Sequence, residues 1–348
     1  MNAQPKPLAV RIAGLGTYLP ERVVTSAELE VQLGLVSGWI AKRTGVLERR
    51  YATDETTVSQ AVCAAQIALE RAGMTVENLD AIIGANLAQQ TIPCTAALLQ
   101  KALGAPDGSS ACWDVNATCL SFMMALHSAA LLIAAGQYRT VLIFSSEIAS
   151  PSLNPLEPES ASLFGDAAAA VVLTSSEQSG LASSGLASSG FDGQPSRLLA
   201  AKFQTFSSGS HLTELLGGGT LHRPQTTYDH PELNMFHMDG PAIFKHAARH
   251  FPPFLESFLA GIAWTVASVD ALVPHQASGH GVLSISSRLG FKPEQVVYNL
   301  PTRGNCVAAS MPLALAEAVE SGRIRRGDRV LLAGTAAGLT LGAIALIF

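Results

Sequence analysis

The chain has 348 residues, 48% of them apolar and only 14% charged, and its formal net charge is −5. Its length supports one large domain or two medium ones with ample core. The acidic balance and the lack of any Lys/Arg tract exclude nucleic acid as the expected ligand, and no run of about 18 apolar residues predicts a membrane-spanning helix.

Met1 to Pro7 lacks a basic-then-apolar leader pattern. Near the start, Gly14-Leu15-Gly16 resembles a dinucleotide loop only superficially: the third glycine is missing and Pro20 spoils the expected helix. Leu79 to Ile83 forms a short apolar strand, and a second strand leads to Cys119. The stretch from Leu120 to Ala135 reads as a buried core helix ending at Gly136, followed by the strand Val141 to Phe144. Gly165-Asp166 opens a strand-like run and reads as a structural turn rather than a metal site.

Ser175 to about Pro231 reads as a linker with surface loops. It holds a five-residue tandem between Gly180 and Gly190 and the run Gly217-Gly218-Gly219, and is expected to be padding plus a short strand. Met235 to Leu259 then predicts one long helix, broken at Pro252-Pro253.

The remaining elements repeat the first half. Val269 to Val273 matches Leu79 to Ile83, the strand Val296 to Tyr298 leads to Asn305, and an apolar helix runs to Gly322 before the strand Val330 to Ala333. Cys119 to Gly136 and Asn305 to Gly322 are equal spacings, which aligns Cys119 with Asn305. The pattern predicts a duplicated α/β fold with a mostly parallel sheet in each half. The expected division is an N-terminal half over 1–175, a linker over 176–232 and a C-terminal half over 233–348. With the central helices face to face, Cys119 and Asn305 lie together near a pseudo-twofold axis.

Cys119 is the expected nucleophile. It stands at a helix start, where unpaired backbone N–H groups and the helix dipole favour thiolate. Cys306 is the rival, while Cys63 and Cys112 read as core. With Cys94 the five cysteines form an odd set without disulfide or metal spacing, so a reduced, cytoplasmic protein without a bound metal is expected. His275 directly follows an apolar strand, where open α/β sheets place ligands. Gln276 is a candidate to orient it. Asn305, after Gly304, is either a helix N-cap or a catalytic amide, and both at once if its side chain faces the cavity.

These residues carry a resemblance over nearly the whole chain. Ile12 to Pro20, Trp39-Ile-Ala-Lys-Arg-Thr-Gly45, Asp114-Val-Asn-Ala-Thr-Cys119, Pro274-His-Gln-Ala277 and Gly304 to Pro312 resemble, in order and spacing, the motifs of β-ketoacyl-acyl-carrier-protein synthase III. These are initiating condensing enzymes of the thiolase superfamily. The resemblance implies the five-layered αβαβα thiolase fold, a homodimer, and a catalytic Cys119, His275 and Asn305. It implies an oxyanion hole from the backbone of Cys119 and Ala337, and substrate contacts from Trp39, Arg43, Gln276, Ile92 and Phe164. No cofactor is implied, since coenzyme A and acyl-carrier-protein thioesters are substrates. The implied reaction is decarboxylative Claisen condensation of an acyl-CoA with a malonyl thioester.

The chain departs from the family at several of these places. Pro158 or Glu159 stands where an Arg commonly stacks on the coenzyme adenine. Ser278 and His280 replace the Asn and Arg after the histidine motif, which leaves carrier-protein binding open. Ile92 replaces an aromatic that often reaches the partner's acyl tunnel, and Ala337 stands in a usually glycine-rich turn. These changes motivate an alternative, an acyltransferase of the same fold that loads a secondary-metabolite acceptor without condensation. A papain-like hydrolase has the same Cys, His and Asn chain order, but lacks duplicated halves.

Overall fold

A computed structural model describes residues 6–87, 89–176 and 196–348. The first strand, β1 (Val10–Tyr18), is crossed by the helix α1 (Thr57–Ala72). A Cβ on Gly14 or Gly16 would fall 2.0 or 2.1 Å from the carbonyl oxygens of Ala68 and Ala64. The glycine pair thus lets the alanine face of α1 lie directly on the strand, a packing role and not a phosphate loop.

The first half continues with β2 (Ala81–Gly84), α2 (Thr95–Ala102), β3 (Ala111–Asp114), α3 (Ser121–Ala134), β4 (Thr140–Glu147) and β5 (Ala167–Ser175). The second half contributes β6 (Arg197–Thr205), α4 (Gly240–Gly261), β7 (Ala271–Pro274), α5 (Gly279–Arg288), α6 (Ser310–Glu320), β8 (Arg329–Ala336) and β9 (Thr340–Ile347). One sheet has the order β1-β5-β4-β2-β3 and the other β7-β8-β9-β6.

Both sheets are mixed rather than mostly parallel. Only β2 with β3, β2 with β4, and β7 with β8 pair in parallel. The outer strands return antiparallel, and the short turn between β8 and β9 permits no crossover. The expected strand at Val296 to Tyr298 is reduced to a single parallel bridge from Val296 to Leu272.

Neighbouring residues in the central strands face opposite layers, so continuous apolar runs bury both faces. Ile83, Val141, Val273 and Val330 pack inward with Phe122 and Leu126 of α3 and Met311 and Leu315 of α6. Ile82 and Leu142 pack outward against α1 and α2. Leu272 and Leu331 pack outward against α4 and α5. The layers are therefore helix, sheet, helix, sheet, helix, as the thiolase fold requires.

Three sequence readings need correction. First, the short strand expected within the linker segment is the nine-residue β6, which pairs along its length with β9 and so belongs to the second sheet. Its alternating burial was hidden by the Gly/Ser-rich context. The Gly180–Gly190 tandem lies outside the described residues. Second, α4 starts at Gly240 rather than Met235 and runs through Pro252 and Pro253. The N–H missing at Pro252 would have met the Ala248 carbonyl, which instead accepts from the Arg288 guanidinium at 3.3 Å.

Third, Cys119 does not align with Asn305. Thr118 and Val307 both have positive φ, 50° and 49°. Each opens a 3₁₀ turn, Thr118–Leu120 and Val307–Ala309, that leads into α3 or α6. Two residues before each, an asparagine side-chain oxygen accepts the turn's first N–H, Asn116 to Thr118 at 2.9 Å and Asn305 to Val307 at 3.0 Å. Asn305 is the counterpart of Asn116, and Ala308 is the counterpart of Cys119. The equal spacings to glycine arose because α6 is three residues shorter than α3 and Asn305 lies three residues ahead of Ala308.

Candidate active site

Cys119 sits in the 3₁₀ turn ahead of α3, held there by the positive φ of Thr118. A β-branched residue in the left-handed region costs about 1–3 kcal/mol and persists only where its surroundings enforce it. Here the Thr118 hydroxyl donates to the carbonyls of Ala117 at 2.8 Å and Ala337 at 3.3 Å. The Ala337 N–H lies beside the Cys119 sulfur and favours its charged form. Ala337 and Cys119 belong to opposite halves, and their backbone N–H groups are the pair expected for an oxyanion hole.

Burial nevertheless pushes the Cys119 thiol up to about 12, with the nearby Glu147 carboxyl adding to the rise and the two N–H donors opposing it. The expected preference for thiolate is thus outweighed by desolvation, and the resting group is a thiol. Cys306 is buried deeper, with burial raising its thiol further, and its sulfur donates to the Arg303 carbonyl at 3.4 Å. It is absent from the cavity wall, which removes it as a rival.

His275 follows the last residue of β7, and its N–H donates to the Ala333 carbonyl in β8 at 3.0 Å. The side chain is 5% exposed. Burial alone lowers its imidazole to about 4, so the ring is neutral at physiological pH and can donate one N–H.

Asn305 is gripped by its backbone. Its N–H donates to Leu163 at 2.8 Å and its carbonyl accepts from Gly165 at 3.1 Å, a parallel bridge around Phe164. Its side-chain oxygen accepts from the Val307 N–H and, at 3.4 Å, the Ser310 hydroxyl. That leaves the amide N–H₂ as the free end, with a long 3.4 Å contact to the Ala277 carbonyl. Capping and amide donation therefore coexist.

Cys119, His275 and Asn305 all line one cavity. Its walls are apolar, including Leu87, Leu153, Leu212, Leu215 and Phe236, with Phe164 packed edge-on to Phe236 at 4.7 Å between centroids. Gly209 and Ala336 to Leu339 close one side. Leu212 and Leu215 come from the segment read as linker, and Phe236 from the expected helix. Glu147, at the end of β4, also reaches this wall and was missed.

Of the expected substrate contacts, Phe164 lines this cavity, and Gln276, Trp39, Arg43 and Ile92 do not. Gln276 is fully buried. Its amide donates to the carbonyls of Pro274 and Val297 and accepts from the Leu300 N–H, so it ties the loop after β7 to the following segment instead of facing substrate. Trp39 begins the short helix Trp39–Thr44 and packs against Val24, Leu29 and Ile40. Arg43, on the same helix, pairs with Glu159 at 2.6 Å. Ile92 is 89% exposed and away from this cavity; its expected contact is with a partner's tunnel. Ser278 caps α5 by accepting the Gly281 N–H, and the His280 ring packs on Phe244.

Among the described residues, no group of three or more His, Cys, Asp or Glu side chains is placed to hold a metal ion. Asp166 instead accepts from the N–H groups of Ala52, Ala149 and Ser150, a structural turn. No described helix is long and apolar enough to cross a membrane.

Comparison with known proteins converges on one group. The model of the 3-oxoacyl-[acyl-carrier-protein] synthase III C-terminal region matches residues 259–348, and the companion synthase III model matches 113–190. A β-ketoacyl-[acyl-carrier-protein] synthase III of Symbiobacterium thermophilum is 38% identical over 97% of both chains. One from Rhodopirellula baltica is 36% identical over 96% of both. Among solved structures, the synthase III of Aquifex aeolicus superposes with a TM-score of 0.83 at 32% identity, over 97% of this chain and all of that one. The Pseudomonas aeruginosa enzyme gives 0.84 at 31%, over 98% of each. The motifs, the five layers and these matches agree: the chain belongs to the 3-oxoacyl-[acyl-carrier-protein] synthase III family of thiolase-fold condensing enzymes.

Proposed function

We propose that the chain joins an acyl thioester to a malonyl thioester by decarboxylative Claisen condensation, with Cys119, His275 and Asn305 as its catalytic residues. The observation that carries this reading is the convergence of those three side chains on one apolar cavity, beside the Ala337 N–H.

Cys119 attacks the acyl carbonyl and the donor thiol leaves, taking over the proton of the cysteine. The N–H groups of Cys119 and Ala337 stabilise the tetrahedral oxyanion. The acyl chain lies among Leu87, Leu212, Leu215 and Phe236. A malonyl thioester then replaces the first product, its thioester oxygen held by the neutral imidazole of His275 and the amide N–H₂ of Asn305. Loss of CO₂ leaves an enolate that these two donors stabilise. The enolate attacks the acyl-enzyme, Cys119 departs and regains a proton, and a 3-ketoacyl thioester is released. Decarboxylation supplies the carbanion, so two neutral donors suffice where proton abstraction would need a strong base.

The donor is an acyl-CoA and the extender rides on an acyl carrier protein, with free coenzyme A as the other product. The pairing of Arg43 with Glu159 favours weak nucleotide recognition within that scheme. The protein works as a cytoplasmic homodimer. Support for the dimer is the outer edge of β3, which has one neighbour strand among the described residues, together with exposed Ile92 nearby in the chain. Release of CO₂ from a malonyl thioester, in step with 3-ketoacyl product, tests the reaction. Acyl transfer to another acceptor without CO₂ release would replace it with the non-condensing alternative.

A further inference from the structure

Glu147 is 4% exposed and has no part in the scheme above, yet it lies on the wall that holds Cys119. Its carboxyl group accepts the Leu87 N–H at 2.7 Å, and the Ala308 N–H lies close enough to favour its charged form. Each contact leads to one catalytic turn. The Leu87 carbonyl accepts from the Asn116 amide at 2.8 Å, and Asn116 in turn accepts the Thr118 N–H beside Cys119. Ala308 follows Val307, whose N–H is held by the Asn305 side chain.

The duplication gives this arrangement a meaning. Glu147 and Ala336 are the last residues of the equivalent strands β4 and β8. Just past β8, the Ala337 N–H is delivered to Cys119. At the end of β4, a carboxylate is delivered to the N–H of Ala308, the residue that stands where Cys119 stands in the other half. Each strand end thus meets the turn of the opposite half.

We propose that Glu147 is a positioning residue of the condensing site: it holds the Leu87 segment, on which Asn116 and the Cys119 turn rest, beside the Asn305 turn, and keeps a carboxyl group beside the Cys119 sulfur. The titratable groups facing it are Cys119, Cys306 and, from the turn before β5, Asp166. Burial raises the Glu147 carboxyl to about 8, still below the Cys119 thiol, so the acid ionises first and opposes loss of the thiol proton.

The test compares Glu147→Gln and Glu147→Ala in the full chain. Glu147→Ala is expected to lower both Cys119 acylation and malonyl decarboxylation at least tenfold, with KM nearly unchanged, because both turns lose their tie. Glu147→Gln keeps an acceptor and is expected to recover part of both rates. In both variants, alkylation of Cys119 by iodoacetamide shifts to lower pH, since the opposing charge is gone. A folded Glu147→Ala with wild-type rates overturns the proposal, as does an unmoved alkylation profile in Glu147→Gln. If Glu147→Ala does not fold, the Glu147→Gln profile decides alone. The proposal rests on the condensing reading, but alkylation requires no condensation, so the two fail separately.

Discussion

The N–H of Ala337, just past β8 in the second half, is directed at the sulfur of Cys119 in the first. The Thr118 hydroxyl fastens the same junction by donating to the Ala337 carbonyl at 3.3 Å. Thr118→Gly removes that bond but relieves the positive φ, because glycine adopts this conformation freely. Acylation of Cys119 is therefore expected to slow about three- to tenfold, as one hydrogen bond of about 0.5–1.5 kcal/mol is lost. Thermal unfolding should stay level or rise. Comparing acylation rate with melting temperature in one preparation checks this.

Asn305 has two separable jobs. Its oxygen holds the Val307 turn, and its N–H₂ is the proposed donor for the enolate. Asn305→Asp keeps the acceptor and removes the donor. Losing one such donor costs about 10²–10³ in rate. Decarboxylation of malonyl thioester should drop by that factor while acylation of Cys119 stays within about threefold. Wild-type decarboxylation in Asn305→Asp would show that the amide is not the enolate donor.

His275 makes the fold sensitive to acid. Its folded imidazole titrates at about 4 rather than near 6.5, because burial opposes the charge. The unfolded chain binds this proton first, so stability is lost as pH falls from 6.5 towards 4 and no further below that. The loss from this group is at most roughly 3 kcal/mol. Chemical denaturation at pH 7.5 and 4.5 measures it: wild type should lose more stability than His275→Gln over that range.

The Arg43–Glu159 pair is an exposed contact, 56% and 43% in side-chain terms, so removing it costs about 0–1 kcal/mol. Its effect should appear in recognition instead. Glu159→Ala frees the guanidinium, and KM for an acyl-CoA is expected to fall several-fold. KM for the matching acyl-pantetheine, which has no nucleotide, should not change. A parallel change in both would place the pair outside nucleotide recognition.

What could be read from the sequence follows from the range of the signals. Cys119, His275 and Asn305 each lie in a short motif at the end of an apolar run, and the structure gathers all three on one cavity. That helices cover both faces of the sheets was legible because strands such as Val141 to Phe144 are apolar at every position, whereas the five-layer arrangement came from the family resemblance. Gln276 was misread because adjacency to a catalytic residue carries no direction; its side chain turns into the backbone of the next segment. Glu147 was invisible because its partner Ala308 is distant in sequence and joins through a backbone N–H, which leaves no residue-type signature. The misaligned halves show the same limit, since positive φ at Thr118 and Val307 is unmarked by glycine.

Intact-mass spectrometry on a single sample, first with an acyl-CoA and then with a malonyl thioester, tests the central claim most directly. The protein should gain the acyl mass on Cys119, then lose it as CO₂ and 3-ketoacyl thioester appear in equal amounts, and Cys119→Ser should show neither step. An acyl adduct that persists in Cys119→Ser, or one that malonyl thioester discharges without CO₂, would contradict the account.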